Sequence, residues 1–175
     1  MIEKPTFNSL AEWFEYGCEC FKRPDGLEAV RAFTKVIDMD PGYRHTDGDN
    51  PYFYLGKINE VEGRLDEAIL LYTRALALDR HDEESLIGRG SCYSATQRME
   101  EAIADFMQVL DLPAGTRKVP LGHLLHAIAE NHRKLKDWGQ AIYWADRALA
   151  EAPGDENFRQ LYERMMAGIP DSEKK

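Results

Sequence analysis

Three histidines, His123, His126 and His132, lie close together in the chain. Imidazoles three residues apart on a helix can chelate a metal. Such a site needs a third ligand, and Glu130 is near only in sequence, so packed or surface histidines are expected and no metal. Asp47, Asp49 and Asn50 resemble the start of a calcium loop. The loop length and the position of a bidentate glutamate are wrong for one, and a turn followed by a helix cap accounts for the three residues. Cys18 and Cys20 are two apart on a predicted helix, so they point about 200° apart and cannot face one metal together. With Cys92 they make an odd, sparse set, which predicts free thiols in a reducing, cytoplasmic compartment. Ser91 and Cys92 fall inside a predicted helix, where a nucleophile has no oxyanion hole. The sequence has no glycine-rich phosphate loop, no Gly-x-Ser-x-Gly and no Cys–His pair with an orienting partner. The expectation is a non-enzyme with no catalytic residue, no cofactor and no small-molecule substrate.

The elements that carry these residues repeat. Ala29, Ala68, Ala102 and Ala141 are each followed by a branched aliphatic residue, with spacings of 39, 34 and 39. Four residues after each alanine stand Phe33, Tyr72, Phe106 and Ala145. Twelve before stand Gly17, Gly56, Gly90 and Ala129, and sixteen before stand Trp13, Tyr52, Leu86 and Leu125. A fixed period of this length is the signature of a helical-repeat array. Four units follow, at about 10–43, 49–82, 83–116 and 122–155. Five-residue insertions at 44–48 and 117–121 sit in turn-rich sequence at unit boundaries, where they leave the register of each unit intact.

Each unit is predicted to be two helices. Asn50 caps the third helix and Pro51 fits its first turn, and Gly63 ends it. Asp82 caps the fifth and Met99 opens the sixth. The connection in the fourth unit is placed at Lys136-Asp137-Trp138-Gly139, and that in the first at Arg23-Pro24-Asp25-Gly26. Phe158, Leu161, Tyr162 and Met165 form one apolar stripe at helical spacing over 156–168, opposite a charged face. This lone helix suits a terminal cap, which arrays need. Close crossing of the paired helices is expected from the small residues at Gly17, Gly56, Gly90 and Ala129. The expected fold class is all-α, a right-handed superhelix of helical hairpins in a single domain over 1–175.

The formal net charge of −9 argues against a nucleic-acid partner, whose footprint is basic. No apolar run approaches the roughly 18 residues needed to cross a bilayer, so no membrane insertion is expected. The N-terminal Met-Ile-Glu-Lys-Pro-Thr-Phe shows no secretory signal.

The pattern resembles the tetratricopeptide repeat over residues 10–155, with Trp13, the three glycines, and Pro41 and Pro153 at unit ends. It departs from that family at Arg80 and Ala114, which replace a closing proline. Arg89 stands where a core leucine is usual, and Ala145 replaces an aromatic, so looser packing is expected in the third and fourth units.

The resemblance implies that the first helices of successive units line a concave groove. It places Phe14, Cys18, Phe53, Lys57, Glu60, Ile87, Ser91, His126, Glu130 and Arg133 on that surface. The groove is apolar at one end, with Phe14, Phe21, Phe53 and Ile87, and polar at the other. The family's clamp for the acidic tails of heat-shock chaperones needs lysine, asparagine and arginine where this chain has Phe14, Cys18, Tyr54, Glu84 and Gly88. None matches, which disfavours that mode. The function implied is a protein-interaction module or scaffold that docks a peptide or protein segment. The alternatives are a secretion-type chaperone sheathing an apolar client, and a homo-oligomeric scaffold mating through the convex surface or through Trp144 and the last helix. The oligomeric state stays open at this point.

Overall fold

The computed structural model describes residues 7–23, 26–113 and 115–168. Its described residues are helical or in turns and loops, with no strand among them. The expected all-α helical repeat is the observed fold class. The chain divides into two compact units, Met1–Gly88 and Arg89–Lys175.

The first unit begins with α1 (Leu10–Phe21), α2 (Leu27–Met39), α3 (Pro51–Val61) and α4 (Leu65–Leu78). The helix α5 (Glu83–Ala95) starts within it. Ser9 and Glu12 form a capping box at the start of α1, and the Asn50 side chain accepts from the Phe53 N–H at the start of α3. Both satisfy amides that a helix end leaves orphaned. The core joins Phe14, Cys20, Ala29, Phe33, Val36, Leu55 and Ile58. Of the first turn, Pro24 and Asp25 lie outside the described residues.

The repeat glycines have a specific cause. A Cβ on Gly17 would lie 2.7 Å from the Phe33 ring, and one on Gly56 would lie 2.9 Å from the Tyr72 ring. Tyr72 is also pressed by Gly88, whose Cβ would lie 2.4 Å from it, and the ring is fully buried. So each glycine clears room for the aromatic ring four residues after the anchor alanine. The contact is backbone against ring rather than the backbone-to-backbone crossing expected from sequence.

The second unit contains α6 (Met99–Leu110), α7 (Leu121–Lys134), α8 (Trp138–Glu151) and α9 (Glu156–Ala167), with the rest of α5. Gly90 repeats the arrangement, its Cβ position 2.8 Å from the Phe106 ring. In the fourth hairpin Ala129 stands where the others have glycine and Ala145 where they have a ring, and both are fully buried. Arg89 finds a partner on α6. Its guanidinium makes two bonds to Asp105, at 2.8 and 2.7 Å. Helix α8 starts at Trp138, so Trp138 and Gly139 belong to the helix rather than to the connection, because the Asp137 side chain accepts from the Gln140 N–H and caps it. The departure at Ala114 and the tail after Gly168 lie outside the described residues.

The described turns of the second, third and fourth hairpins share one backbone demand. Gly63, Gln97 and Lys136 each stand five residues before an anchor alanine, and each has positive φ, at 77°, 63° and 61°. Side chains with a Cβ are strained there by about 1–2 kcal/mol, while glycine loses more entropy on folding, about 0.5–1 kcal/mol. Gln97→Gly and Lys136→Gly should therefore each stabilise the protein, by roughly 0.5–1 kcal/mol. Urea denaturation of the two variants checks this; a loss of stability in both would show that the side chains earn their strain elsewhere.

Candidate functional site

Helices α1 and α3 of the first unit, with the loop between α2 and α3, enclose a cleft of about 700 Å³. That lies within the roughly 300–1,000 Å³ usual for ligand pockets. Rings and charged side chains share its walls, and Tyr54 is the hub of the rings. Its ring stacks on Phe33 at 4.9 Å and meets Phe21, Phe53 and Phe14 edge-on at 5.3, 5.1 and 5.7 Å. The Tyr54 hydroxyl donates to Asp49 at 2.6 Å. Burial and the acceptor carboxylate of Asp49 push the phenol far above its ordinary range. It is a fixed neutral donor that orients Asp49 at the cleft.

The inserted loop folds over the same place. His45 stacks on Phe14 at 5.1 Å, Tyr43 lies 5.6 Å from Phe14, and the His45 Nδ1 lies 2.8 Å from Asp47. Phe14 is only 1 % exposed as a result. It supports the cleft from beneath instead of presenting an open face. Cys18 is half-buried on the wall, and burial pushes its thiol pKa up, with Asp49 and Asp47 adding to the shift. Such a thiol is held protonated, which makes it a poor nucleophile.

Of the groove residues singled out from sequence, Phe14, Cys18, Phe21, Phe53 and Lys57 meet at this cleft. Glu60 is not on its wall. Its carboxylate is held by the Tyr72 hydroxyl at 2.6 Å and by Lys57 at 3.2 Å. Ile87 is half-buried on α5 and does not line the cleft either. Sequence reasoning missed Tyr54 as the hub and missed Asp49 and His45. Tyr54 was visible as an aromatic beside Phe53 in the same helix turn, five residues after Asp49.

The second unit has its own, shallower cleft of about 450 Å³ between α5, α6 and α7. Ser91, His126 and Glu130 line it, and Arg133 does not. Its polar groups are mostly engaged. The Lys134 ammonium donates to the Ser94 carbonyl and hydroxyl, at 3.2 and 2.9 Å. Glu130 pairs with Arg133 at 2.8 Å and with Arg164 of α9 at 2.6 Å. His126 and His123 lie edge-on to Phe158 of α9, at 6.2 and 5.7 Å. Burial lowers the His126 pKa, so its imidazole is neutral at neutral pH and packs as an aromatic. Trp144 is 7 % exposed and is largely covered within the unit, although neighbouring Tyr143 is open.

No helix of the described residues is long and apolar enough to cross a membrane. Family models described as tetratricopeptide repeat match residues 25–83 and 62–111. Among curated proteins, DnaJ homolog subfamily C member 7 of Homo sapiens is 30 % identical over 95 residues, covering 54 % of this chain and 19 % of that protein. RNA polymerase II-associated protein 3 of Rattus norvegicus is 32 % identical over 100 residues, covering 56 % of this chain and 14 % of that protein. The chain thus spans a fifth or less of these two relatives. Among solved structures, MamA protein superposes with a TM-score of 0.77 at 18 % identity, covering 91 % of this chain and 81 % of that one. The first repeat domain of Spaghetti (RPAP3), bound to the HSP90 peptide SRMEEVD, gives 0.58 at 17 %, covering 66 % and 88 %. Helical hairpins of fixed period, ring-over-glycine packing within them and these matches agree: the chain belongs to the tetratricopeptide-repeat family.

Proposed function

We propose that this chain is a non-enzymatic interaction module whose first unit docks a peptide or protein segment in the cleft between α1 and α3. The observation that supports this most is the ring-lined cleft itself. Phe21, Phe53 and Tyr54 are all half-buried there, on a wall with no catalytic constellation. Half-buried aromatics can supply large apolar area at low entropic cost to a docked segment, and such anchors dominate binding energy. The capture of peptides by two related repeat domains, one with an HSP90 peptide and one with an HSP70 peptide, accords with this reading.

Phe53→Ala should weaken binding of a recovered partner about 30-fold, since a buried anchor is worth about 2 kcal/mol or more on truncation. Lys57 is 44 % exposed and already paired with Glu60, so Lys57→Ala should act mildly, as rim charges do. Arg74→Ala combined with Arg147→Ala, on α4 and α8, should leave affinity unchanged. Affinity capture followed by titration against these variants tests the reading. Strong loss from the arginine pair with none from Phe53→Ala would place the working surface elsewhere.

A further inference from the structure

We infer that the first-unit cleft selects a cationic side chain, an arginine carried by a partner peptide between apolar residues. This rests on the peptide-docking reading above and adds the charge of the ligand to it. The argument begins with what lines the walls. Glu15, Glu19, Asp47, Asp49 and Glu84 all border the cleft, against two lysines, Lys22 and Lys57. One of those lysines is already engaged by Glu60 at 3.2 Å. Glu15 and Glu19 have side chains 65 % and 68 % exposed, and their nearest basic partners, His45 and Arg23, are both 3.8 Å away. The cleft therefore carries excess negative charge.

The rings give that charge a direction. A guanidinium is planar, stacks on aromatic faces and bonds carboxylates in a fork, whereas apolar side chains use only the rings. Phe21, Phe53 and Tyr54 stand nearly perpendicular in pairs, at 76° and 71°. That leaves ring faces turned in different directions around one space. Asp49 is the carboxylate best placed to finish the site, because the Tyr54 hydroxyl fixes it at 2.6 Å. A fixed acceptor loses little entropy when it bonds a ligand. An acidic peptide would meet the five carboxylates without a clamp of cations to receive it. The occupant that fits is therefore opposite in charge to the acidic tails bound by the related domains.

Three fluorescein-labelled nine-residue peptides test this, identical in their leucine and alanine residues and differing only at two positions. Those positions carry arginine, citrulline or glutamate. Citrulline keeps the shape and removes the charge. Fluorescence anisotropy with the full chain should give binding of the arginine peptide at least tenfold tighter than citrulline, with glutamate weakest. The arginine preference should shrink between 50 and 500 mM NaCl, as screening shortens the reach of surface charge. Asp49→Asn retains an acceptor for Tyr54 and should reduce arginine binding about fivefold. Glu15→Gln with Glu19→Gln touches only exposed side chains and should reduce it about threefold without changing the circular dichroism. Equal binding of the arginine and citrulline peptides, both lost in Phe53→Ala, would overturn charge selection and leave docking standing. Tighter glutamate binding would do the same. Failure of all three to bind at 1 mM would overturn both.

Discussion

Replacing Arg89 with leucine should destabilise the protein by about 3 kcal/mol or more, although leucine is the residue the repeat pattern calls for. The reason lies on the facing helix. Asp105 is 3 % exposed and bonds the Arg89 guanidinium through both carboxylate oxygens. Hydrogen bonding to Asp105 raises the arginine pKa further, so Arg89 stays charged. Removing one partner of a buried pair strands the other, at a cost of about 3–5 kcal/mol. Removing both can be neutral or stabilising, since each ion was desolvated to form the pair. Arg89→Leu with Asp105→Leu should therefore recover most of the loss. Arg89 retains 17 % side-chain exposure, which places the single change at the lower end of that range. Urea denaturation of the single and double variants decides it. A single variant as stable as the parent would mean that water reaches Asp105 and the pair contributes little.

That pair also shows where the sequence stops informing. The anomaly was legible: an arginine at an inward position of a repeat whose other inward positions are apolar. Its solution was not, because Asp105 lies sixteen residues away on another helix and was not marked as inward. The four-unit register, the caps at Asn50 and Asp82 and the stop at Gly63 could be read because each depends on residues within one or two turns. The first-unit cleft could be read only in part. Phe14, Cys18, Phe53 and Lys57 follow from their places on α1 and α3. The loop that closes over Phe14 does not, because a five-residue insertion in an array carries no periodicity to say which way it folds. Ring stacking of His45 on Phe14 at 5.1 Å turned an expected open anchor into a buried support.

Truncation after Gly154 should change the association state of the protein as well as its stability. It removes α9, whose Phe158, Leu161 and Met165 are 4 %, 0 % and 0 % exposed. Full burial of such side chains is worth about 1.5–3 kcal/mol each, and the ordering of the helix offsets much of that. The seat left behind is shaped for this helix alone. A Cβ on Gly122 would lie 2.6 Å from the Phe158 ring, and one on Gly168 would lie 2.3 Å from the Trp138 ring. Both ends of α9 are thus fitted to glycine-cleared or ring-lined places on α7 and α8. Removal also frees Glu130 from Arg164 and uncovers the half-buried His126. A net loss of about 2 kcal/mol would lower the melting temperature by about 4–8 °C in a chain of this length, and the uncovered apolar face of α7 and α8 should drive association. Phe158→Ala separates the two effects. It should cost no more than the truncation does, since the whole of α9 contributes only about 2 kcal/mol net, yet it keeps the polar outer face of α9 and so should leave the protein monomeric. Calorimetry and sedimentation of both variants read the outcome. A truncated chain that melts with the parent and sediments as a monomer would mean that α9 rests on the array without sealing it.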